Sequence, residues 1–172
     1  MSCSKIVDDL NAQARARGWT FVCSPSVEFD AASLNAVSAL WQELAISGRL
    51  PAWTDFSVRA LEDLLPDLLV ADVVQADKGM RFRYRLMGAR TAHYLGEMTG
   101  LFMDEYLPPA VHERTVACYR AIVETCCPLR FVTQFSLDKI SFLSGEFFGA
   151  PLARDGFTPD TVMTVTDFRV RK

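Results

Sequence analysis

The chain has little of what catalysis and metal binding ordinarily need. It holds only two histidines, His93 and His112, in 172 residues, and neither stands in a metal-ligand or catalytic motif. No G-x-S-x-G elbow, P-loop or G-x-G-x-x-G turn occurs. A catalytic centre requires a nucleophile or base with an orienting partner, so the expectation is a domain with no catalysis of its own. The five cysteines, Cys3, Cys23, Cys118, Cys126 and Cys127, are odd in number and lack the paired C-x-x-C spacing of a zinc site, which points to reduced thiols. The adjacent Cys126-Cys127 admits two readings, a redox switch or small apolar fillers at a helix end.

Charge of one sign is not concentrated anywhere. Eighteen Lys and Arg stand against twenty-one Asp and Glu, for a net charge of -3, without the basic block that a nucleic-acid footprint requires. DNA or RNA binding is therefore not expected. No stretch approaches the roughly 18 apolar residues of a membrane span, and Asp8 and Asp9 fall where a secretory signal has its apolar run. The expected location is the cytoplasm. What the chain has in quantity is apolar side chain: 50% of residues are hydrophobic, with twelve Phe against three Trp and four Tyr. That suffices for one core in a single domain, without disulfides or metals.

Periodicity divides the chain. Residues 1–30 are weakly periodic, interrupted by Gly18 and Pro25, and read as a loosely ordered or docked N-terminal arm. Leu34, Val37, Leu40, Trp41 and Leu44 then recur at steps of three and four, with Gly48 as a stop, which predicts an amphipathic helix over about 33–47. Beyond Pro51 a shorter helix carries Val58, Leu61, Leu64 and Leu65 and ends at Pro66. These N-terminal helices make up residues 31–66 and flank a core over 67–168, with 169–172 a tail.

Leu68 to Val74 is a nearly continuous apolar run. After Asp77-Lys78-Gly79, the segment Arg81 to Leu86 alternates charged and apolar, which predicts a hairpin with one wet face. Alternation assigns Phe82, Tyr84 and Leu86 inward and Arg81, Arg83 and Arg85 outward. The arginine stripe reads either as a solvated sheet face or as a site for phosphate or an acidic partner. Short pieces broken by Gly96 and Gly100 follow. A longer helix then runs from about Pro109 to Pro128, with Val111, Thr115, Cys118, Tyr119 and Ile122 on one face. Three antiparallel strands close the chain: Leu129 to Leu137, about Phe142 to Ala153, and Thr161 to Phe168. Two strands, a helical middle and three strands make an α+β pattern.

Three segments in this pattern resemble the PAS superfamily. Trp41 to Asp72 contains Ser47-Gly48-Arg49-Leu50-Pro51 and Leu64-Leu65-Pro66; Phe82 to Gly88 is similar to a Tyr-Arg-Leu-x-Gly strand end; and Gly96 to Gly100 looks like a glycine-bracketed turn before a helix. The match is to a branch of small, stand-alone bacterial PAS-domain proteins. It covers roughly residues 40–168, leaves 1–30 without a counterpart, and departs at Ala89, where the branch often has Thr. The resemblance implies a five-stranded antiparallel sheet with helices packed over one face, extra N-terminal helices and a pocket between sheet and helices. It also implies a sensory or regulatory domain in signal transduction, although one fold hosts many functions.

In such a fold Tyr84, Leu86, Tyr94, Met103, Tyr119, Phe131 and Phe135 would line the pocket or simply fill the core. His93, beside Tyr94, stands in the segment where haem-binding PAS domains offer an axial ligand, so haem is the sharpest cofactor hypothesis, with other small molecules open. Cys118, in Ala-Cys-Tyr-Arg, does not supply the reactive cysteine motif of flavin photosensors. The favoured reading is a non-catalytic regulatory domain acting through partner-protein or small-molecule binding. The alternatives are a haem- or metabolite-binding sensor and, less favoured, a small isomerase-like enzyme, which would need a carboxylate or histidine inside the cup. With no kinase, cyclase or DNA-binding segment after Phe168, output is expected in trans through a partner signalling protein. The exposed side of the 33–47 helix or the sheet face would be the contact surface, and the amphipathic character of that helix suggests a homodimer.

Overall fold

The computed structural model describes residues 2–77, 79–136 and 142–171, except for the side chains of Phe135, Ser136, Phe142, Leu143, Val170 and Arg171. Six strands, β1 (Phe21–Ser24), β2 (Leu68–Ala76), β3 (Gly79–Met87), β4 (Leu129–Ser136), β5 (Phe142–Leu152) and β6 (Thr161–Arg171), form one antiparallel sheet in the order β1-β4-β5-β6-β2-β3. Helices α1 (Cys3–Arg17), α4 (Ala89–Leu95), α5 (Met103–Tyr106) and α6 (Pro109–Thr125) cover its inner face. The N-terminal helices α2 (Ala32–Leu44) and α3 (Val58–Leu61) cover the outer face. The α+β fold expected from the sequence is therefore present.

Coverage on both sides explains why the central strands are not simply amphipathic. On β2, Leu69 and Ala71 enter the inner core while Leu68 and Val70 enter the outer one. A strand buried on both faces reads as a continuous apolar run. On the outer side, Leu34, Val37 and Trp41 of α2 are buried against Phe148, Ala150 and Leu152 of β5, and the Trp41 indole N–H donates to the Pro151 carbonyl at 3.0 Å. The apolar face of α2, the ground for expecting a homodimer, is thus occupied by the chain's own sheet.

The segment entering α2 is tied down from far away in sequence. Ala31, its N-cap, has no capping side chain; instead the Glu146 carboxylate on β5 accepts from the backbone N–H groups of Asp30, at 3.1 and 3.2 Å, and Ala31, at 3.2 Å. Arg130 Nε on β4 donates to the same carboxylate at 2.6 Å. A buried carboxylate needs such a complete set of donors to offset its lost hydration.

Residues 1–30 are more regular than their weak periodicity suggests. Gly18, in the left-handed conformation at φ 67°, ends α1 and turns the chain into β1, which pairs with β4 as a sixth, edge strand. Asn11 of α1 holds β1 in place, donating to Cys23 O and accepting from Cys23 N, both at 2.8 Å. Four residues between a glycine and a proline are too few to show a period of two, and this long-range pairing decides their conformation.

One inward assignment fails. The β2–β3 ladder shifts register between Val70 and Ala71, which pair with Leu86 and Tyr84, so Arg85 is an extra residue in a β-bulge. A bulge reverses the facing of everything beyond it. Phe82 and Tyr84 stay in the inner core, Met87 joins them, and Leu86 packs into the outer core instead.

Candidate functional site

Between the sheet and the helices α4 and α6 the inner face is incompletely filled, leaving a cavity of about 390 Å³. The floor comes from strand alternation: β6 sends Val162, Thr164 and Thr166 inward and Met163 and Val165 outward. One stripe of α6 roofs it, with Val111, Thr115, Cys118, Tyr119 and Ile122 on its wall. This helix lies close to the sheet because β5 offers Gly149 beneath it; a β-carbon there would stand 2.6 Å from Ile122 Cδ1. At the edge, Leu95 and Tyr106 are partly exposed, and the Tyr106 ring rests against Gly96, where a β-carbon would meet its hydroxyl at 2.9 Å.

Four of the residues singled out from the sequence, Tyr84, Tyr94, Tyr119 and Phe131, meet on this wall. Met103 is buried in the same apolar cluster without reaching the cavity. Leu86 is removed to the outer core by the bulge, and the side chain of Phe135 lies outside the described residues. His93 is exposed on α4, edge-on to Tyr94 at 5.2 Å, and is not part of the wall. The haem-ligand assignment therefore has no geometric support. His112 faces the groove between α1 and α6.

The wall also contains polar groups that the focus on aromatics missed. Thr91, Thr115, Thr133, Thr164 and Thr166 contribute to it. The signal was available in β6, where Thr164 and Thr166 alternate with Met163 and Val165 on a strand buried on both sides. Thr91 is 1% exposed, and its hydroxyl has no hydrogen-bond partner among the described residues. Arg114, one turn before Cys118, is the only charged side chain among the described residues lining the cavity. Carboxylates are thus not among these residues; the buried Glu146 belongs to the opposite face.

Burial dominates the proton equilibria here. It pushes the Tyr84 hydroxyl well above its ordinary range. Tyr119 rises for the same reason and through its nearness to Tyr84, while a hydrogen bond with Thr164 pulls the other way. The Cys118 thiol is likewise pushed up by burial, and desolvation lowers the pKa of Arg114. Both tyrosines and the thiol are neutral at physiological pH, and arginine remains charged. The cavity is a neutral, mainly apolar box with hydroxyl groups on its floor and one cation in its wall.

The other candidate chemistry of the sequence is absorbed by the fold. Arg81 is bound by Asp104 and Glu105 and lies over the Phe102 ring at 3.9 Å, while Arg83 and Arg85 share Asp72. Cys126 forms the left-handed C-cap of α6 at φ 50°, and Cys127 lies beside Cys3, whose thiol burial and this neighbour push up. Among the described residues no cluster of three or more His, Cys, Asp or Glu could hold a metal ion, and no helix is long and apolar enough to cross a membrane.

A family model described as "PAS domain" matches residues 29–166. No curated protein matches. Among solved structures, one described as "Structure of an RNA-binding Light-Oxygen-Voltage Receptor" is similar, at 15% identity and a TM-score of 0.45, over 87% of this chain and 38% of that chain. The chain thus spans well under half the length of that receptor.

Proposed function

Because this chain belongs to the PAS-domain family, whose members are sensory and regulatory domains, we propose that it senses a small molecule held in the inner cavity and passes the bound state to a partner protein. The observation that carries this reading is the unfilled space itself. Well-packed interiors leave few voids larger than a water molecule, whereas a cavity of about 390 Å³ falls within the range of ligand pockets. Its wall combines apolar side chains with a few hydroxyls and one cation, the composition that fixes orientation inside an otherwise greasy site.

The outer face supports the same reading. It is covered by α2 and α3, which favours the inner cavity over the outer face as the ligand site. Among the described residues, no group on the cavity wall supplies the carboxylate or histidine that the isomerase alternative needs, and His93 stands outside it, so a metabolite rather than haem is the ligand we infer.

Native mass spectrometry of freshly purified protein tests this reading. The expected result is an adduct of small mass that is released on denaturation and is lost in Cys118→Phe, whose ring would occupy the cavity. Wild-type protein that carries no adduct, and that no compound in a metabolite panel stabilises against heat, would contradict it.

A further inference from the structure

We propose that the ligand of this cavity is an uncharged, mainly apolar molecule whose carbonyl or hydroxyl oxygen hydrogen-bonds with Thr91. The inference rests on the reading of the cavity as a ligand site and adds the chemical class. Charge, an unmade hydrogen bond and size carry it.

A charged ligand gives up its hydration on entering an apolar cavity and needs an opposite charge there to offset the loss. Among the described lining residues no carboxylate is present to receive an ammonium group. Arg114, the one cation among them, is itself engaged in an interaction within the protein, so an entering anion would have to compete for it. The remaining polar side chains of the wall are hydroxyls and one thiol, which meet a neutral oxygen without a net charge to balance.

Most of those hydroxyls that belong to threonine are already bonded. Thr115 donates to Val111 O at 2.7 Å and Thr133 to Thr20 O at 3.0 Å, and Thr164 is hydrogen-bonded with Tyr119. Thr91 also lines the cavity, yet its buried hydroxyl has no partner among the described residues. Buried polar groups in native proteins nearly always find one, and in a mainly apolar cavity a ligand oxygen supplies it. A helical threonine has two accessible side-chain rotamers, so this hydroxyl can turn to the ligand while α4 stays in place. Because a hydroxyl both donates and accepts, an alcohol and a carbonyl match it equally. At about 30 Å³ per water in the liquid, the space of about 390 Å³ equals roughly a dozen waters, room for an eight-carbon alcohol or ketone.

Isothermal titration calorimetry on the full chain at neutral pH with octanol, octanone, butylbenzene, octanoate and octylamine tests the proposal, together with titrations and melting temperatures of Thr91→Val and Thr91→Ser. Octanol and octanone are expected to bind at least tenfold more tightly than octanoate and octylamine. Thr91→Val, which loses no hydrogen bond to a described residue, is expected to melt at the same or a higher temperature. It should nevertheless bind octanol and octanone several-fold more weakly and butylbenzene, which has no oxygen, as the wild type does. Thr91→Ser, which keeps the hydroxyl, is expected to keep the preference for the oxygen-bearing probes. A charged probe that binds as tightly as octanol, or octanol and octanone affinities unchanged in Thr91→Val, overturns the assignment and leaves the cavity a ligand site of other chemistry. Failure of every probe, together with protein free of any adduct in native mass spectrometry, overturns both.

Discussion

A β-carbon on Gly88 would stand 2.1 Å from the carbonyl oxygen of Leu65, and 2.4 Å from that of Pro66. The backbone at Gly88 is extended, with φ -68° and ψ 152°, so it is space and not conformation that demands glycine. Its N–H donates to Leu68 O at 2.7 Å, joining the end of β3 to the start of β2. The next residue begins α4, which carries Thr91 and Tyr94 into the cavity wall. Two segments that look separate in the sequence, Leu64-Leu65-Pro66 and Tyr84 to Gly88, form one packing unit that sets the position of α4.

Gly88→Ala is therefore expected to cost about 3 kcal/mol, because the clash is with backbone that cannot rotate aside. The urea midpoint measures the loss. Any protein that still folds is expected to show a displaced α4 and weaker ligand-induced thermal stabilisation. An unchanged midpoint would mean that the β3–α4 corner is looser than this contact implies.

Gly149→Ala meets a side chain instead, Ile122 Cδ1 at 2.6 Å. The tip of an isoleucine can shift, so the expected cost is about 1–2 kcal/mol. Shortening the neighbour is expected to return part of it. A double-mutant cycle with Ile122→Val should then show a coupling of at least about 0.5 kcal/mol, whereas simple additivity would place the two groups out of contact.

Removing the Glu146 carboxylate leaves Arg130 without its 2.6 Å partner and the Asp30 and Ala31 amides without an acceptor. Glu146→Ala is expected to lose about 3–5 kcal/mol, the range for breaking a buried charge pair. Hydrogen exchange at the start of α2 should accelerate beyond what global unfolding accounts for. Uniform acceleration across the whole chain would show that α2 is not separately anchored by this group.

Alkaline pH supplies a further test. Burial holds the hydroxyls of Tyr84 and Tyr119 protonated in the fold beyond their ordinary value of 10.0. Below that pH both folded and unfolded chains keep these protons, and stability is undiminished. Above it the unfolded chain releases protons that the fold retains, so stability falls, by up to about 1.4 kcal/mol per pH unit for each tyrosine. The Cys23 thiol, pushed up to about 12 by burial, acts in the same direction from 9.0 upward, and tyrosinate absorbance separates the two. The expected result is that Tyr84 and Tyr119 ionise only as the protein unfolds, with a shallower loss of stability in Tyr84→Phe. Their ionisation at pH 10 in folded protein would contradict the burial described.

The large elements were legible because local pattern and tertiary role agree in them. Leu34, Val37 and Trp41 mark a helix face that is in fact buried, and Leu68 to Val74 reads as the doubly covered strand it forms. Proline and glycine also punctuate honestly at Pro109 and Gly48. What escaped the sequence depends on partners distant along the chain. The four residues of β1 become a strand only by pairing with β4, and the cap of α2 arrives from Glu146. Leu86 was misplaced because a bulge has no pattern of its own; the alternation runs on through Arg85 as if nothing intervened. In the cavity the tyrosines were legible through their size. The threonines were less so: Thr164 and Thr166 alternate with Met163 and Val165 in the sequence, but only the burial of β6 on both sides shows that they face a cavity and not water.

The central claim is that the inner cavity, and not the outer face under α2, receives the signal. Methyl NMR of the full chain during titration with a metabolite panel tests it most directly. The account expects shifts in Ile122, Met98, Thr91 and Thr164, which line the cavity, with Leu34 and Val37 of the outer core unmoved by direct contact. Shifts confined to Leu34 and Val37, or a panel in which no compound moves the cavity methyls, would contradict it.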